Sequence, residues 1–272
     1  MRIPIYQVDA FTTKVFGGNP AAVCLLTSWL DPSVLLSIAK ENNLSETAFV
    51  MPTSTSKNVW KIRWFTPDIE MDLCGHATLA AAHVVFEMHS ALERITFISE
   101  FSGKLDIEKV GPSLYQMALP SRPPVQIDLK DLPESILRSI KAFPVEAWRS
   151  RDVILVYDNE EIIRSLNPDS AILNEINLDP GGVVVTAKAT LSQNVDFVSR
   201  YFTPQSTIFE DPVTGSAHCS LVPLWAKKLA KQDLKALQVS SRAGELTCSN
   251  TDEWIFVQGH AVTFLQGHIQ VA

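Results

Sequence analysis

No C-x-x-C pair occurs in this chain, and its four cysteines (Cys24, Cys74, Cys219 and Cys248) stand far apart. That spacing excludes a disulfide framework and a zinc ribbon and describes reduced thiols. The sequence also lacks any run of about 18 apolar residues. No apolar leader precedes the strand-like Met1-Arg2-Ile3-Pro4-Ile5-Tyr6, so a cytoplasmic protein without membrane spans is expected. Charge of one sign is never clustered: 23 Lys and Arg accompany 30 Asp and Glu, giving a formal charge of −7 and a pI near 5.4. Without a basic run, a nucleic-acid surface is not expected. Glycine is scarce, 11 in 272 residues, and the Gly181-Gly182 pair lacks the strand-glycine-helix context of a dinucleotide site. No cofactor is indicated.

What the chain does have is 46% hydrophobic residues and a stretch that occurs twice. Arg63-Trp64-Phe65-Thr66-Pro67 leads into Cys74-Gly75-His76-Ala77, and Arg200-Tyr201-Phe202-Thr203-Pro204 leads into Thr214-Gly215-Ser216-Ala217. The Phe-Thr-Pro copies are 137 residues apart and the Gly-X-Ala copies 140, so the spacing is kept over half the chain. A repeat of that length describes two related domains, since solenoid units recur every 20 to 50 residues or so. Ser121-Arg122-Pro123-Pro124 is the natural break, giving domains 1–120 and 121–272, with the last strand free to return to the first domain.

Residues 3–11 and 21–26 read as a hairpin around Gly17-Gly18-Asn19-Pro20, and Asp31-Pro32 reads as a capped helix start ending near Asn42-Asn43. A short strand, Leu44 to Val50, then carries Glu46 among small and apolar neighbours. The helix from Gly75 to about His89 is apolar nearly all round and must be buried nearly all round, with three strands (95–101, 104–110 and 114–119) available to wrap it. In the second half we expect a helix at 133–141, strands at 147–156, a polar helical region at 160–177, and strands at 183–187 and 196–202. A second buried helix follows at about 215–230, in which Pro223 should cause a kink or mark a misplaced boundary. Strands near 237–240, 245–248, 254–257 and 261–265, punctuated by Gly244, Gly259 and Gly267, close the chain.

A helix beginning Gly-His-Ala or Gly-Ser-Ala presents unpaired N–H groups and the positive end of a dipole with little side chain in the way. Two such starts facing each other would suit a small carboxylate. Gly75, Gly215, Ser216, Ala217 and Cys74 are therefore the candidate substrate-binding residues. Asp211, Thr214 and His218 stand beside the second start and His76 beside the first, so proton-transfer groups flank both. Glu46 has no mate: the repeat period carries it to about Val183. A carboxylate in such surroundings is expected to be pushed up by desolvation, which suits general acid or base work. Each candidate also has an ordinary structural reading: Glu46 as a satisfied buried carboxylate, His76 as a hydrogen-bonded helix start, Asp211 as a turn residue. Cys74 reads as a buried filler, and Cys74 with His76 lacks the companions of a metal site, so no metal is assigned.

Asp9-Ala10-Phe11, Gly18-Asn19-Pro20-Ala21-Ala22-Val23, Asn43-Leu44-Ser45-Glu46-Thr47-Ala48-Phe49, Arg63 to Pro67, Cys74 to Ala80 and Glu210 to His218 together resemble the signatures of the PhzF-like phenazine-biosynthesis isomerase family. The match runs in order over essentially the whole chain and looks closest to the branch holding the phenazine-biosynthesis-like domain-containing proteins. The resemblance implies an α+β, diaminopimelate-epimerase-like fold: two pseudo-symmetric domains, each wrapping a sheet or barrel around a central helix, with the site between them. It also implies a homodimer, and assigns Glu46 to the family's proton-shuttling glutamate and His76, Asp211 and Ser216 to residues lining the site. In the related epimerases two cysteines do the acid and base work. Here Thr214 stands where the second would be, so a two-thiol mechanism is disfavoured. A cofactor-independent isomerase moving a proton within a small carboxylic acid is the leading expectation, with Glu46, His76 and Asp211 as catalytic residues. The alternative is a ligand-binding or protein-interaction module that keeps the fold.

Overall fold

The computed structural model describes residues 1–54, 56–178, 181–251 and 253–271. The first half runs β1 (Arg2–Ala10), β2 (Asn19–Leu25), α1 (Pro32–Asn42), β3 (Glu46–Pro52), β4 (Val59–Phe65), β5 (Glu70–Met71), α2 (Gly75–Met88), β6 (Arg94–Ser99), β7 (Gly103–Gly111) and β8 (Leu114–Pro120). Next come β9 (Val125–Ile127), α3 (Glu134–Ile140), β10 (Glu146–Arg149), β11 (Val153–Tyr157), α4 (Glu160–Ser165), α5 (Ser170–Leu173), β12 (Val183–Lys188) and β13 (Phe197–Phe202). The chain ends with β14 (Glu210–Asp211), α6 (His218–Leu229), β15 (Asp233–Gln238), β16 (Gly244–Asn250) and the long β17 (Trp254–Gln270). Two compact units result, one of Met1–Leu119 with Phe256–Ala272 and one of Pro120–Ile255.

In the first unit the strands pair in the order β17, β1, β2, β3, β4, β6, β7, β8, and β8 returns to β17, closing an eight-stranded barrel. The composition of α2 explains the closure. Every residue from Gly75 to Phe86 is buried. A helix without a polar face needs cover on all sides, and each fully buried Leu, Val or Phe adds about 1.5–3 kcal/mol to the drive. Asp31 caps α1 by accepting from Ser33 N, Pro32 takes the first position, and Asn43 ends the helix in the left-handed region at φ 49°.

The second unit repeats this connectivity: β9–β10–β11 antiparallel, β11–β12 parallel, β12–β13 antiparallel, β13–β15 parallel, β15–β16 antiparallel. Matched ion pairs hold the two short hairpins. Arg63 grips Glu70 through Nε and a terminal nitrogen at 2.6 and 2.7 Å, and Arg200 grips Glu210 at 2.7 and 2.9 Å. Such bidentate pairs fix geometry as well as charge.

Several sequence expectations are corrected here. The strands expected at 254–257 and 261–265 are one strand, β17, because Gly259 is not a turn. A Cβ there would stand 2.3 Å from the ring of Phe11, so glycine makes room for packing. The polar helical region divides into α4 and α5 around Asn167-Pro168, since proline disfavours helix at the residue before it. The strand expected near 237–240 begins earlier, at Asp233. The second buried helix starts as a 3-10 turn over Gly215–Ala217 and becomes α-helical only at His218. Pro223 does lie inside it. The carbonyl it leaves without a helix donor, that of Cys219, instead accepts Arg122 N at 2.8 Å, so the defect is compensated from the chain segment at the domain break.

Register also refines the place of Glu46. Thr47 pairs with Phe65, and Val183 pairs with Phe202, the second copy of that phenylalanine. Gly182, rather than Val183, therefore stands where Glu46 stands in the first unit.

Candidate active site

The first unit brings Glu46, Cys74, Gly75 and His76 together. Glu46 opens β3, where Ala21 of β2 is its neighbour, and keeps 14% of its side chain exposed. His76 is the second residue of α2 and is 3% exposed. Its Nε2 lies 2.9 Å from Glu46 Oε2. The approach is close but poorly angled, and within the described residues neither atom completes a well-aligned hydrogen bond. On the other side of the ring, Nδ1 is 3.0 Å from Asn19 Nδ2 and 3.5 Å from Cys74 Sγ.

Burial and the Glu46 charge push the Cys74 thiol up to about 11, so the sulfur is protonated near neutrality. For His76, burial opposes a charge, but Cys74 and Glu46 outweigh it and draw the ring well above the ordinary histidine value. The Cys74 part of that pull needs a thiolate, so near neutral pH it is absent and burial, the largest single influence on the ring, is opposed by Glu46 alone, which lets the ring rest neutral. Glu46, Cys74 and His76 each offer an atom that could ligate a metal, all within 4.8 Å of one another. The close contacts of Glu46 and Cys74 are to opposite ring nitrogens, an arrangement that suits passing or holding a proton. The set reads more simply as a proton-handling group.

Cys74 precedes α2 in extended conformation, φ −139° and ψ 112°, and no side chain caps that helix start. The N–H groups of its first turn thus have no helical acceptors of their own. Thr78 bonds back to the Cys74 carbonyl.

In the second unit Thr214 takes the place of Cys74, again extended at φ −106° and ψ 94°, and leads into Gly215, Ser216 and Ala217. Gly215 and Ala217 are buried and Ser216 half-buried. Asp211 Oδ2 accepts from the Thr214 hydroxyl. Gln238, 1% exposed, ties the turn from behind: its Oε1 accepts from Thr214 N at 2.9 Å and its Nε2 donates to Asp211 O at 2.8 Å. His218 Nδ1 donates to Thr214 O at 2.9 Å, the role Thr78 plays in the first unit. Desolvation drives its pKa down to about 4, so it is a neutral core residue. Where Glu46 would stand, Gly182 N donates to Asp152 Oδ1, and the Tyr201 hydroxyl donates to the same oxygen. A Cβ at Gly182 would lie 2.7 Å from the Tyr201 ring, so that space is filled.

Sequence reasoning missed Asn19 and Gln238. Asn19 was visible as part of a turn and of the Gly18-to-Val23 signature but was given no role, and Gln238 was one polar residue among several. His83, to which no role was assigned, is a core residue whose two ring nitrogens meet the Tyr115 hydroxyl and Thr263 Oγ1, each at 2.9 Å.

Residues 8–267 match the family model described as phenazine biosynthesis-like protein. The chain belongs to the PhzF family. A protein named as an uncharacterized isomerase from Pseudomonas aeruginosa is 43% identical, with both chains covered completely. The phenazine biosynthesis-like domain-containing protein of Bos taurus is 38% identical over 98% of this chain and 99% of its own. Among solved structures, a PhzF-family phenazine biosynthesis protein from Enterococcus faecalis superposes with a TM-score of 0.90 at 42% identity, covering all of both chains. Likeness of fold alone extends to a hydroxyproline epimerase from Agrobacterium vitis, TM-score 0.62 at 9% identity over 98% of this chain and 92% of that one. The α+β, diaminopimelate-epimerase-like fold and an isomerase-type activity are thus those of the PhzF family. Among the described residues no helix is long and apolar enough to cross a membrane.

Proposed function

We propose that this PhzF-family isomerase moves a proton within a small carboxylic acid, with Glu46 as the general acid and base. The observation that carries the reading is a carboxylate set 2.9 Å from a buried imidazole at the uncapped start of a buried helix. The Glu46 carboxylate takes a proton from a carbon beside a carbonyl, carboxyl or conjugated group. The electron pair delocalises into that group, and Glu46, whose carboxyl proton exchanges with solvent while it is held, delivers a proton to another carbon, so nothing is oxidised or reduced. His76 holds the carboxylate in place. Free N–H groups at the start of α2 favour the negative charge that develops. Within the second unit, Asp211, Ser216, Gly215 and Ala217 form a comparable set of polar groups and N–H donors. Cys74, protonated near neutrality, is a neighbour of His76 and not a base.

The test is deuterium incorporation. Incubated in heavy water with a panel of small unsaturated and 2-substituted carboxylic acids, wild-type protein should introduce C–D bonds visible by NMR. Glu46→Gln should slow this by about a hundredfold or more, within the range for loss of a positioned acid–base group. Equal incorporation by the two proteins, or none by either, sinks the reading.

A further inference from the structure

We infer that Asn19 is a positioning residue that holds His76 in a single neutral tautomer, with the ring proton on Nε2 facing Glu46. The argument starts from donor and acceptor chemistry. An amide nitrogen can only donate, so Nδ1 of His76, 3.0 Å from Asn19 Nδ2, must offer its lone pair. The remaining proton of a neutral imidazole then sits on Nε2, 2.9 Å from Glu46 Oε2. Cys74, 3.5 Å from Nδ1, does not disturb this, because a thiol is a weak donor that competes for the same lone pair.

The placement of Asn19 is built into the fold. Asn19 is fully buried, opens β2 and pairs with Ala10 across the hairpin. Gly18 precedes it at φ 60°, and a Cβ there would stand 2.0 Å from the Ala10 carbonyl, so only glycine makes the turn that delivers Asn19. Pro20 follows and restricts the residue from the other side. The amide therefore reaches the ring from a rigid backbone, 57 residues away in sequence.

The consequence rests on the Glu46 reading. A neutral Nε2–H faces the carboxylate at 2.9 Å without placing a positive charge beside it. An imidazolium would hold it as a charged pair and make it a weaker base. Putting an acceptor where Asn19 has a donor should therefore change the protonation of His76 while leaving Glu46 untouched.

Nitrogen-15 labelling of the histidines, with His76 assigned through His76→Gln, reads this directly from long-range proton–nitrogen correlations of the unliganded protein at pH 7.5. Wild type should show one protonated ring nitrogen, Nε2. Asn19→Asp should show both nitrogens protonated. Asn19→Leu, close in size and without a donor, should show loss of the single Nε2–H pattern, and it stands in if the aspartate variant fails to fold. A wild-type ring protonated on Nδ1, or on both nitrogens, overturns the inference. So does the same pattern in all three proteins. These spectra need no substrate, so they can fail while Glu46→Gln still abolishes deuterium incorporation. They can equally succeed if Glu46 proves dispensable.

Discussion

Acidification should weaken this protein through His218. The ring is fully buried, donates through Nδ1 to Thr214 O, and is held neutral down to about pH 4 against an ordinary value of 6.5. The unfolded chain takes up a proton at this residue below pH 6.5, whereas the folded chain refuses it until about pH 4. A depressed histidine therefore contributes stability that is complete above pH 6.5 and is lost progressively as pH falls toward 4. At roughly 1.4 kcal/mol per pH unit, the loss at pH 5 is about 2 kcal/mol and saturates near 3 kcal/mol. The comparison protein is His218→Asn, which keeps an amide donor for Thr214 O and cannot titrate. It should be less stable than wild type at pH 7.5, because the ring's packing against Phe197, with centroids 5.9 Å apart, is lost. The gap should then close by about 2 kcal/mol between pH 7.5 and pH 5. Urea unfolding at several pH values, followed by tryptophan fluorescence, measures both curves. If the two proteins lose stability in parallel over that range, buried neutral His218 is not the cause and the reasoning fails.

Three further substitutions probe the architecture. Gly182→Ala should cost about 1–3 kcal/mol, because the new Cβ would lie 2.6 Å from the Phe202 carbonyl, a backbone atom that cannot step aside. A melting temperature equal to wild type would refute that. Arg200→Lys should be markedly worse than Arg63→Lys, by about 1–3 kcal/mol. The two arginines are similarly exposed, 12% and 17%, and both grip a glutamate, but Arg200 also donates to the carbonyls of Ile163 and Leu166 at 3.1 and 2.6 Å. Equal losses in chemical unfolding would mean those carbonyl bonds contribute nothing.

Much of this fold was legible because its signals are local. Asp31-Pro32 announces a helix start, the all-apolar stretch after Gly75 announces a helix that must be wrapped, and the doubled Phe-Thr-Pro announces two like halves. Each is a pattern within a few residues or a repeat along the chain, and the physical cause, a cap, a buried face, a strand end, acts over the same short distance. Glu46 was legible for a related reason: a carboxylate in an apolar strand stands out without any knowledge of its neighbours.

Contact between distant residues was not legible. Nothing near Asn19 says that its amide meets His76, because that depends on the β1–β2 register and on where α2 begins, and a slip of one residue turns a strand side chain to the opposite face. The same one-residue uncertainty sent the counterpart of Glu46 to Val183 when the register places Gly182 there. Pro223 looked like a fault because its remedy, the Arg122 N–H, comes from a segment about a hundred residues earlier. Gly259 looked like a turn because the ring that needs its space, Phe11, lies at the other end of the chain. Composition and local pattern by themselves determined which elements form and which carboxylate is out of place. Tertiary packing alone decided what stands beside that carboxylate, because hydrogen bonds and close packing act over a few ångströms of space whatever the distance along the chain.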